Sequence, residues 1–260
     1  MTAQKLPGTE AARHGTGDAD LTIMLAAHRA FRRDLTRLAR AAARPAGALR
    51  SEPARRRSVA AGWELFKHEL HLHHTAEDEI IWPALRPRLA QSEHALSVLD
   101  AMEEEHARID PLLAAVDAAF AADPEASDWP GEGRLADVID ALTSTLTGHL
   151  AHEERDGLPL IGVALTAAEW RRAGFRIARR NGLSEGGEMF AWILDGAPGN
   201  TGTAGDTGTA GDAGTAGDAG TAGDTGGRED TAATLAALPP PLRLLYRTVW
   251  KPRFDRTPRW

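Results

Sequence analysis

A histidine and a glutamate four residues apart occur twice in this chain, each time with a proline six residues past the glutamate: His73, Glu77 and Pro83, then His149, Glu153 and Pro159. The first copy reads His71-Leu72-His73-His74-Thr75-Ala76-Glu77-Asp78-Glu79-Ile80-Ile81-Trp82-Pro83, and the stretch from His149 to Pro159 is its shorter echo. Each copy has one more histidine upstream, His28 before His73 and His106 before His149, at separations of 45 and 43 residues. On an α-helix, positions i and i+4 stand one turn apart on one face. Counting about 100° per residue, the His73–Glu77 direction shares its face with Phe66, Leu70, Ile80 and Ala84. The His149–Glu153 direction shares its face with Leu135, Val138, Leu142, Leu146 and Leu160. Both pairs therefore face an apolar core. A carboxylate there is costly unless compensated, and the facing groups are imidazoles rather than Lys or Arg. A bound cation is the simplest compensation.

The order His28, His73-x-x-x-Glu77, His106, His149-x-x-x-Glu153 resembles the hemerythrin-like (HHE cation-binding) domain over roughly residues 18 to 160. The resemblance implies an all-α, up-down-up-down four-helix bundle with a non-haem di-iron centre on its axis. It also implies roles: His28 and His73 on one iron, His106 and His149 on the other, Glu77 and Glu153 bridging. Oxygen-carrying members have a second histidine four residues after the first on their third helix. Asp110 stands there in this chain, so a fifth imidazole is either absent or supplied from elsewhere. The text around Glu77 and the segment Leu238-Pro239-Pro240-Pro241 also resemble actinobacterial members of the family.

Composition narrows the cation. There is no cysteine among the 260 residues, which excludes thiolate ligands, iron–sulfur clusters and disulfides. Nitrogen and oxygen donors suit Fe or Mn, and Zn would also fit; Fe, two per chain, rests on the resemblance. No run approaches the roughly 20 apolar residues of a membrane span, and no apolar signal segment opens the chain, so a cytoplasmic location is expected. A net charge of −7 does not favour nucleic acid as a partner.

Along the chain, residues 1–17 read as a disordered leader, and 18–196 as the bundle with a C-terminal extension. Asp18 or Asp20 caps a first helix to about Ala43, bearing His28. The second runs from about Ala54 to Arg86, kinked or ended by Pro83. On it His68 and His71 point to solvent, while His74 and Asp78 form a competing i, i+4 pair. His73 and Glu77 are preferred, leaving His74 as an outer group or the missing imidazole. Ser92 caps the third helix, to about Ala122, with His106 inward. Glu103 is either a ligand or part of a solvated acidic run, Glu103-Glu104-Glu105. The fourth helix spans about Arg134 to Arg155. Gly148 lies next to His149 and costs helix stability there, which is read as close backbone approach to a neighbour, as an entry for a small ligand, or equally as drift. His152 is an outer group or a surface residue.

Thr166 to Glu169 is a capping box that opens a short helix to about Arg180, with a basic surface of Arg171, Arg172, Arg176, Arg179 and Arg180 that is read as a solvated face ahead of a partner site. The apolar cluster Met189 to Leu194 is expected to cap one end of the bundle. Residues 197–234 read as a flexible linker, since Thr-Ala-Gly-Asp recurs four times at a period of six with almost nothing to bury. In 235–260, Leu242, Leu245, Tyr246, Val249 and Trp250 form one side of an amphipathic segment with Arg243, Arg247 and Lys251 on the other; packing back onto the bundle comes first and a peripheral membrane or partner contact second.

Open coordination positions would admit a small ligand, O2, peroxide or NO, and any catalysis would be peroxide- or NO-directed. The alternative is a non-catalytic scaffold or regulator in which a metal is structural and the tail engages a protein partner.

Overall fold

The computed structural model describes residues 19–43, 52–121, 131–195, 234–236 and 238–260, without the side chains of 131–134. The leader 1–17, most of the loops after the first and third long helices, and the linker up to residue 233 lie outside the described residues. All regular structure among the described residues is helical.

Four long helices form the body: α1 (Thr22–Ala42), α2 (Pro53–Ala76), α4 (Glu93–Ala121) and α5 (Gly131–His152). The starts of α1 and α4 obey the expected capping chemistry. The Asp20 carboxylate accepts the Thr22 N–H at 3.0 Å, and the Ser92 hydroxyl accepts the Ala95 N–H at 3.2 Å. Helix α1 packs on α2 and α5, while α4 packs on α2 and α5, so the four close a ring.

Neither Pro83 nor Pro159 ends its helix. After α2 comes a π turn, Glu77–Ile81, and then α3 (Trp82–Leu85); after α5 comes a second, Glu153–Gly157, and then α6 (Leu158–Ala164). The fourth helix thus runs on past the expected Arg155. A proline lacks the N–H donor and presses its ring on the carbonyl four residues before it. In both places the residue just before the proline bonds back five residues, Trp82 to the Glu77 carbonyl and Leu158 to the Glu153 carbonyl. The wider turn makes room for the ring, so the axis continues. A third π turn, Tyr246–Trp250, precedes Pro252 in the same way.

Inside the ring, apolar side chains form two clusters with a polar layer between them. Phe31, Phe66, Leu70, Ile109, Leu146 and Leu150 belong to one; Ile81, Leu99, Met102, Leu158 and Ile161 belong to the other. On α2 the order is Leu70, His73, Glu77, Ile81, and on α4 it is Met102, His106, Ile109. All six repeat residues sit at this layer.

Helix α7 (Ala167–Ile193) opens on the capping box, with the Thr166 side chain and Glu169 satisfying each other's N–H groups. It extends beyond the expected Arg180 to Ile193, broken at Gly182 (φ 85°), a conformation that favours glycine. Its end packs into the core: Trp192 is buried, its indole N–H donates to Asp34 at 2.7 Å, and its ring lies 4.8 Å from Phe31. The C-terminal helices α8 (Pro240–Leu245) and α9 (Lys251–Phe254) flank the third π turn. The Trp250 ring lies over Gly187 and the Trp260 ring over Gly62, so close that a Cβ at either glycine would overlap the indole. The Trp260 N–H donates to the Ser58 carbonyl at 3.1 Å. Val249, expected on the apolar side, is 47% exposed, because the π turn shifts the phase on which that expectation was counted. No helix among the described residues is long and apolar enough to cross a membrane.

Candidate metal centre

Seven side chains meet in the polar layer in two groups. His28, His73, Glu77 and Glu153 form one, and His74, His106 and His149 the other, with donor atoms inside each group within 4.8 Å of one another. The six residues of the repeat are all present, and His74 joins them as a fifth imidazole. Its ring stacks on His106, with centroids 3.9 Å apart. Asp110 is exposed and takes no part. Glu77 links the groups, one oxygen 3.1 Å from His73 Nε2 and the other 3.4 Å from His106 Nε2. Glu153 lies 3.1 Å from His28 Nε2.

These groups are poorly satisfied by one another. Both carboxylate oxygens of Glu77 and of Glu153, and the Nε2 atoms of His74, His106 and His149, are buried without a hydrogen-bond partner. His28 Nε2 and His73 Nε2 face each other at 3.2 Å. Buried polar atoms are almost always paired, so such a concentration calls for a species that accepts lone pairs from all sides. Among the described residues no Lys or Arg forms an ion pair with Glu77 or Glu153. A cation fits; an apolar or purely hydrogen-bonded core does not.

Outside this layer, carboxylates hold three of the imidazoles. Glu154 accepts from His28 Nδ1 at 2.9 Å and Asp78 from His106 Nδ1 at 2.9 Å, while Glu105 takes His149 Nδ1 on one oxygen and His152 Nδ1 on the other, both at 2.9 Å. A carboxylate only accepts, so each Nδ1 carries hydrogen, and a ring in its neutral form turns an Nε2 lone pair inward. This is the arrangement that orients histidines in metal sites and makes them better donors.

The hemerythrin HHE cation binding domain model matches residues 19–161, more than half of the chain. The chain belongs to the hemerythrin HHE family. No curated protein and no solved structure matches it.

The electrostatics of this hemerythrin domain follow from burying so many ionisable groups together. Burial, and then the His28 charge, lower His73 to about 3, and burial with His106 close by lowers His74 well below the usual imidazole value. Burial also lowers His149, with His106 adding to it. Glu77 is pushed well up by burial and by Glu153 beside it, whereas Glu153 is brought down because His28 outweighs its burial. Two carboxylates in one apolar layer share a single counter-charge, so only one ionises freely. Glu154 sits at about 2, held there by hydrogen bonds from His28 and Arg32.

The remaining expected candidates sort cleanly in the hemerythrin domain. Asp78 and His152 are outer groups, while Glu103 pairs with Arg86 at 2.7 Å on the surface and lies in neither group. His68 and His71 are exposed, as read. The suggestion of close backbone approach at Gly148 fails, since nothing lies within 4 Å of a Cβ built there. The sequence reading did not single out Glu154, and it took Glu105 as one of a solvated run. A signal for the first was present: each core glutamate is followed by a second acid, Asp78 after Glu77 and Glu154 after Glu153.

Proposed function

We propose that this hemerythrin domain holds two irons, one on His28 and His73, one on His74, His106 and His149, with Glu77 and Glu153 bridging, and that it binds or reacts with a small ligand. Two irons so held would supply open coordination positions and redox or Lewis-acid chemistry toward O2, peroxide or NO. The observation that carries the reading is the set of buried Nε2 and carboxylate oxygen atoms that no hydrogen bond satisfies. The order of clusters supports an up-down-up-down bundle around them. Along α1 and α4 the chain passes from the Met102 cluster to the Phe31 cluster, and along α2 and α5 it passes back.

The chain's own residues have distinct tasks in this reading. The carboxylates of Glu154, Asp78 and Glu105 fix the imidazole tautomers and keep the rings from turning. Phe31, whose ring lies 5.2 Å from that of His73, and Met102, against Gly157, wall the layer from water on its two sides. With two imidazoles rather than three, the His28–His73 group has the greater donor deficit. The exogenous ligand is assigned to that side.

The test is elemental analysis of chain expressed in iron-replete medium and purified without metal-affinity steps, followed by visible spectra with azide and peroxide. Two irons per chain and a spectral response to azide are expected. Iron without any such response would favour the scaffold reading, and a His73→Ala/His149→Ala variant retaining full metal would refute the ligand assignment.

A further inference from the structure

The first half of α7 has two faces, and only one is spoken for. Trp170, Ala173 and Ile177 turn inward; Trp170 and Ile177 pack against the Ile81–Met102 cluster, and the Trp170 indole N–H donates to the Asp20 carbonyl at 2.8 Å. At about 100° per residue, Arg171, Phe175, Arg179, Arg172 and Arg176 occupy one arc of about 140° on the other side. All five are exposed, Phe175 at 72%. Leu183, just beyond the break at Gly182, is 73% exposed.

Charge sets this face apart from its surroundings. Nearby arginines are neutralised: Arg86 by Asp100 and Glu103, Arg88 by Glu169, Arg180 by Glu79. Arg171, Arg172, Arg176 and Arg179 form no ion pair with any carboxylate among the described residues. In a chain of net charge −7, four uncompensated guanidinium groups are thus gathered around one exposed phenyl ring.

We infer that this face of α7 is a docking surface for an anionic lipid bilayer, with Phe175 entering the headgroup–acyl boundary and the four arginines on lipid phosphates. The face is the outer, convex side of a helix. A bilayer takes up a convex apolar side chain ringed by long cationic ones without needing a matching shape. A nucleic acid would use the arginines but has no place for the exposed Phe175 between them. The inference does not depend on the metal centre, and iron-loaded and metal-free chain should behave alike.

The experiment is co-sedimentation of the full chain with vesicles of phosphatidylglycerol and phosphatidylcholine in equal parts, against vesicles of phosphatidylcholine alone. Binding is expected to the first and not the second, and to weaken as salt is raised. With a loss of about fivefold for each arginine neutralised near an anionic surface, Arg172→Gln/Arg176→Gln should weaken partitioning roughly 25-fold. Phe175→Ser should weaken it about tenfold with helical content unchanged, since the ring makes no use of the core. No partitioning of the unaltered chain, equal partitioning of the variants, or retention on polyglutamate or duplex DNA in preference to the vesicles would each overturn the inference.

Discussion

The rings of His74 and His106 lie 3.9 Å apart and within 11° of parallel, although they come from different helices and only His106 belongs to the repeated motif. With His149 they form a three-imidazole group, and His74 Nε2 has no hydrogen bond to lose. His74→Ala should therefore lower metal affinity by more than the roughly 10–100-fold that removing an outer partner costs. Iron per chain after dialysis against a weak chelator measures this. His71→Ala, one turn away and exposed, should leave iron content unchanged. Equal iron in the two variants would remove His74 from the centre.

The outer acids act crosswise. Asp78, which follows the glutamate of the first repeat, holds the lone histidine of the second, His106; Glu154, which follows that of the second, holds His28. Asp78→Asn and Glu154→Gln keep the shape but lose the full negative charge and allow the imidazole tautomer to change. Each should weaken metal binding about 10–100-fold, with competition against a colorimetric chelator as the readout. Glu103→Gln, which touches only Arg86 at the surface, is the matched control and should change affinity less than about twofold.

The helices, their caps and the six repeat residues were legible because helical periodicity and capping are local, and a repeated His-x-x-x-Glu on an apolar face has few other uses. For His74 the sequence leaves an outer group and the missing imidazole both open, because the choice depends on which neighbours its ring meets. Adjacent residues differ by about 100°, enough to serve two different groups when neighbours approach from both sides. The π turns were not legible as such. Their sign, a proline six residues past a core glutamate, was noticed as spacing but read as a kink. The reach of α7 to Ile193 depends on Trp192 finding Asp34 and Phe31 from more than 150 residues away, which no local pattern announces. Residues 202–226, with their period of six, lie outside the described residues.

Two glycines near the centre should respond oppositely to alanine. Gly148 is exposed and has open space where a Cβ would go, so Gly148→Ala should raise stability by about 0.5–1 kcal/mol and leave metal binding unchanged. Gly157 closes the second π turn, and a Cβ there would lie 3.2 Å from Glu153 Cγ and 3.5 Å from Met102 Sδ. The Met102 side chain can yield, but Glu153 moves only by shifting its carboxylate. Gly157→Ala should therefore lower metal affinity while altering the melting temperature of metal-free chain little. Thermal unfolding and metal titration on both variants separate the two effects.

Glu69, one turn before His73 on α2, provides a pH signature. It is 3% exposed, its Oε1 has no hydrogen bond, and burial together with the charges of Glu188 and Glu185 raises its carboxyl from 4.5 to about 8. The folded chain therefore keeps this proton to higher pH than the unfolded chain does. Its contribution to stability is fully present below about pH 4.5 and is lost as pH rises through about 8, because there the unfolded state binds fewer protons. The slope attributable to one such group is at most about 1.4 kcal/mol per pH unit. Glu69→Gln, neutral at every pH, should match the unaltered chain near pH 5 and melt at a higher temperature near pH 8.5. Parallel melting curves for the two chains across that range would show that Glu69 is ionised in the fold at neutral pH.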